Sequence, residues 1–126
     1  MAWCFEDETN AYTETVLDKL NSGQTALMPT IWKFGVSNVL LIIQRKQRIS
    51  LLKANNFKNA LTSLPIHIDH GSTDRAFDTV FEIGRELGLT AYDSAYLELA
   101  FREKIPLAIQ DKALIKAAQE ISVDIF

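Results

Sequence analysis

Segments whose apolar residues recur every three or four positions alternate along this chain with short runs that are apolar almost throughout. A helix with one apolar stripe has to bury it on another element, and a strand that is apolar on both sides has to be covered on both. The alternation therefore predicts an α/β fold, with helices covering a mostly parallel central sheet. Strand candidates start at Thr25, Ile66, Pro106 and Val123.

The helical segments carry recognisable starts and stops. Glu6 to Leu20 places Tyr12, Val16, Leu17 and Leu20 at helical spacing, and Asn21-Ser22-Gly23 stops it. From Ile31 to Arg45 the residues Trp32, Val36, Val39, Leu40 and Ile43 form one face, with Thr30 in position to cap it. Gly35 lies inside this helix, at a cost of roughly 1 kcal/mol relative to alanine. Ser50 to Leu61 is a further helix, which Leu64-Pro65 breaks.

A helix opening at Gly71-Ser72-Thr73 is expected to run to Leu87, with Ala76, Phe77, Val80, Phe81 and Gly84 on its buried face and Gly88 ending it. Thr90-Ala91-Tyr92-Asp93 has the form of a capping box, and the helix it opens turns Tyr92, Tyr96, Leu99 and Ala100 inward. Asp111 opens the last helix, with Leu114, Ile115 and Ala118 apolar.

Composition narrows the class. A chain of 126 residues is long enough for one core, so a single domain over 1–126 is expected. A net charge of -3 gives no overall pull toward nucleic acid, so RNA binding would need a local basic patch or a divalent cation. Cys4 is the only cysteine, which excludes an internal disulfide and suits a reducing compartment. The longest apolar run, Val39 to Ile43, is too short to span a bilayer and reads as a buried helix end. With no signal-peptide pattern behind Met1, the expected location is the cytoplasm, without membrane association.

Two stretches carry a resemblance. Pro29-Thr30-Ile31-Trp32-Lys33-Phe34-Gly35-Val36-Ser37-Asn38, followed by Arg45 and Arg48, is the first. The second runs from Leu89 through Tyr92-Asp93-Ser94-Ala95-Tyr96-Leu97-Glu98-Leu99-Ala100, Pro106-Leu107-Ala108 and Asp111-Lys112-Ala113-Leu114 to Ala118. Together with Trp3 and Asp7-Glu8, they are similar to the PIN-domain family, in particular to ribonuclease toxins of the VapC type. The second stretch matches almost position by position.

The resemblance implies a three-layer α/β/α sandwich, a Mg2+- or Mn2+-dependent endoribonuclease, a homodimer, and an antitoxin protein that inhibits it. It makes Asp93 and Asp111 the catalytic and metal-ligating residues. The chemistry is coherent, because hard divalent cations take oxygen ligands and position a water for attack on a phosphodiester.

This chain departs from the pattern at three places. Gly35 stands where the family has a glutamate, Ile109 where it has a threonine, and the family's opening aspartate, with its first strand, has no counterpart. The expectation is thus an impaired nuclease. The alternative is a catalytically inactive pseudo-toxin that keeps the fold as an antitoxin-binding or dimerisation module.

Simpler roles exist for the same residues. Asp93 and Asp111 both stand where acids cap helices, and only the family pattern puts metal ligation ahead. Arg45, Lys46 and Arg48 read first as a solvated helix end and second as phosphate contacts. Glu98 and Asp74 read as surface partners of Arg102 and Arg75. Trp3, Trp32 and Phe81 read as core or dimer contacts.

Overall fold

A computed structural model describes residue 15 and residues 18–126. Trp3, Cys4, Asp7 and Glu8 lie outside the described residues, as does most of the helix expected from Glu6 to Leu20, of which residues 15 and 18–20 are described and helical. The elements that follow are β1 (Ala26–Pro29), α1 (Ile31–Arg45), α2 (Leu51–Thr62), β2 (Ile66–Asp69), α3 (Gly71–Asp74), α4 (Thr79–Leu87), α5 (Ala91–Glu103) and α6 (Lys112–Glu120).

The fold is α/β, with β1 and β2 paired in a small two-stranded parallel sheet. The segments expected as strands from Pro106 and Val123 meet only in an isolated parallel bridge between Leu107 and Ile125. Its bonds run from the Leu107 amide to the Asp124 carbonyl at 2.8 Å and from the Phe126 amide to the Leu107 carbonyl at 3.1 Å. No helix among the described residues is long and apolar enough to cross a membrane.

The described residues divide into two compact units, one taking in residues 18–27 and 32–67, the other residues 28–31 and 68–126. In the first, Leu40 and Ile43 of α1 pack with Ile49 and Ala54, flanked by Val36 and Phe57. Ser50 caps α2 by accepting from the Lys53 amide at 3.1 Å. The apolar run at the end of α1 is only partly buried, since Val39, Leu41 and Ile42 face solvent. A helix of period 3.6 cannot turn five consecutive side chains to one side.

In the second unit Leu97 and Ala100 of α5 pack with Leu107, Leu114, Ala117, Ala118 and Val123. The segment expected as one helix from Gly71 to Leu87 is two, separated by turns at residues 75–78. Asp78 leaves helical geometry at φ -114 and ψ -102, and the Val80 amide bonds the Arg75 carbonyl. The break resets the helical phase, so Val80 is buried at 2% exposure while Phe77 stands out at 95%. Phe81 is also exposed, so the apolar face expected for this segment is smaller than its sequence suggests.

Glycine closes α4 for a stereochemical reason: Gly88 takes the left-handed conformation at φ 69 and donates to the Gly84 carbonyl. The tight α4–α5 contact also depends on Gly84, where an added Cβ would lie 2.9 Å from Ser94 Oγ and 3.0 Å from the Leu89 carbonyl oxygen. The Thr30 hydroxyl, expected to cap α1, meets that of Thr73 at 2.6 Å.

Candidate functional site

Asp93 and Asp111 sit at the starts of α5 and α6, two helices that pack against each other. Thr90 caps α5 by accepting from the Asp93 amide at 3.1 Å, which fixes the backbone of Asp93 in the first turn. The Asp93 side chain is half-buried, and its charge adds to burial in raising the pKa of Tyr96 above its ordinary value of 10.0, burial being the larger cause. The phenol therefore stays protonated at neutral pH and serves as a hydrogen-bond donor.

Asp111 is exposed and caps α6 through Oδ1, which accepts from the Ala113 amide at 3.0 Å. The cap uses one carboxylate oxygen and leaves the other for a second partner. The capping role inferred for Asp111 is thus present in the geometry, whereas at α5 it is the Thr90 hydroxyl and not the Asp93 carboxylate that makes the cap bond.

The donor set has the right character for a hard cation. Magnesium commonly takes one or two carboxylates and completes its shell with water and substrate phosphate. Among the described residues no group of three or more His, Cys, Asp or Glu side chains converges. Gly35, exposed in α1, contributes no side chain, and an added Cβ there would meet nothing within 4 Å.

The most highly organised polar cluster lies elsewhere in the second unit and centres on Glu98, which is 1% exposed. Ser72 Oγ donates to Glu98 Oε2 at 2.8 Å, and Arg102 Nε donates to Oε1 at 2.7 Å. Arg75 Nε approaches Oε1 at 3.6 Å. Arg102 also donates to Asp69 Oδ2 at 2.6 Å, and that oxygen accepts from the Gly71 and Ser72 amides at 3.0 and 3.3 Å.

This cluster corrects the reading of Glu98 as a surface residue. Its partner Arg102 is the expected one, but Glu98 itself is buried, Arg102 is only partly exposed, and the cluster extends to Asp69 and Ser72. Arg75, expected to pair with Asp74, turns to Glu98 instead. The Arg102 hydrogen bond holds the Asp69 carboxyl below its ordinary range, and the hydrogen bonds that Arg102 donates to Glu98 and then to Asp69 raise its own pKa.

Sequence reasoning missed Asp69 altogether and missed the burial of Glu98. The available signal was that Glu98 lies between Leu97 and Leu99 in an otherwise apolar stretch, four residues before an arginine. A charge buried with full hydrogen bonding and opposite charge beside it is a structural anchor. Both carboxylate oxygens of Glu98 accept from protein donors.

Compared with protein-family models, with curated proteins and with solved structures, the chain matches none.

Proposed function

We propose that this chain is a PIN-type toxin of a toxin–antitoxin pair, a divalent-metal-dependent endoribonuclease whose site is impaired by glycine at position 35. The observation that carries the reading is the placement of the two family acids. Asp93 and Asp111 fall in the opening turns of consecutive, mutually packed helices, and each keeps at least one carboxylate oxygen for a ligand. The full PIN architecture, a three-layer α/β/α sandwich, belongs to the same proposal, as do the antitoxin partner, the homodimer and a cytoplasmic location.

In this mechanism Asp93 and Asp111 would hold Mg2+ or Mn2+. The cation, when bound, supplies Lewis acidity and a nucleophilic water at neutral pH. Thr90 and the opening turn of α5 keep Asp93 in place, and the Ala113 amide orients the Asp111 carboxylate. Glycine stands at position 35 where the resembled family has a glutamate, so weak metal binding and slow turnover are expected.

A second reading, an inactive pseudo-toxin that binds antitoxin or a second copy without cutting RNA, draws on the lack of a three-membered ligand group among the described residues. Cleavage of a structured RNA by the purified chain, with and without Mg2+ or Mn2+, separates the two. Metal-dependent cutting that disappears in Asp93→Ala supports the nuclease. Absence of cutting by a folded chain supports the pseudo-toxin.

A further inference from the structure

We draw no further inference here: the strongest candidate, the exposed aromatic pair of Phe77 in the turn before α4 and Phe81 in its first turns, carries nothing because nothing in the structure shows what covers it.

Discussion

Arg102 Nη2 lies 2.6 Å from Asp69 Oδ2, while Nε of the same guanidinium lies 2.7 Å from Glu98 Oε1. One side chain thus ties the end of β2 to the middle of α5, with the carboxylate of Glu98 out of solvent. Arg102→Met keeps most of the side-chain volume but strands that carboxylate, and a buried pair broken on one side costs about 3–5 kcal/mol. Urea denaturation should show a loss of that size; a loss under 1 kcal/mol, roughly the worth of an exposed pair, would mean that Glu98 is solvated.

Asp69 gives the cluster a pH dependence. Its carboxyl is held below the ordinary value of 3.8, first by the Arg102 hydrogen bond. A group whose pKa is lowered on folding contributes stability above its unfolded pKa and loses it as pH falls through the folded one. Wild type should therefore lose stability relative to Asp69→Asn below about pH 4, the ordinary carboxylate range, and exceed it at pH 7. Urea midpoints from pH 7 down to pH 2 check this, and parallel curves for the two proteins would refute it.

Little of this cluster was legible in the sequence. The bounds of α1 were, because its apolar residues recur at helical spacing and Pro29 marks its start. The pairing of Glu98 with Arg102 was too, being a local i, i+4 relation. Its burial was not, since Ser72 and Asp69 reach it from distant positions. The break between α3 and α4 escaped for the same reason: Asp69 and Glu98 fix α3 through Gly71 and Ser72, and local periodicity carries no trace of that.

Gly84→Ala probes the α4–α5 contact. The added methyl would press on Ser94 Oγ at 2.9 Å and on the Leu89 carbonyl at 3.0 Å. Overpacking of this kind costs about 1–3 kcal/mol. Adding Ser94→Ala should recover part of the loss only, because the backbone carbonyl remains. Thermal unfolding of the single and double variants reads both effects, and a neutral Gly84→Ala would show that the helices separate readily.

Position 35 should behave in the opposite way. An added Cβ there meets nothing within 4 Å, so Gly35→Ala should stabilise the chain by about 0.5–1 kcal/mol through helix propensity. Gly35→Glu should in addition strengthen Mn2+ binding in a calorimetric titration. Stabilisation without any gain in affinity would remove position 35 from the proposed site.

Metal ligation by Asp93 and Asp111 is tested most directly by calorimetric titration of Mn2+ into wild type, Asp93→Asn and Asp111→Asn. Asparagine caps a helix about as well as aspartate, so Asp111→Asn spares α6 while removing the charge. The prediction is weak, saturable binding in wild type that is lost in both variants while their unfolding temperatures stay close to that of wild type. Binding of equal strength in all three proteins would contradict the assignment of these two carboxylates to a metal site.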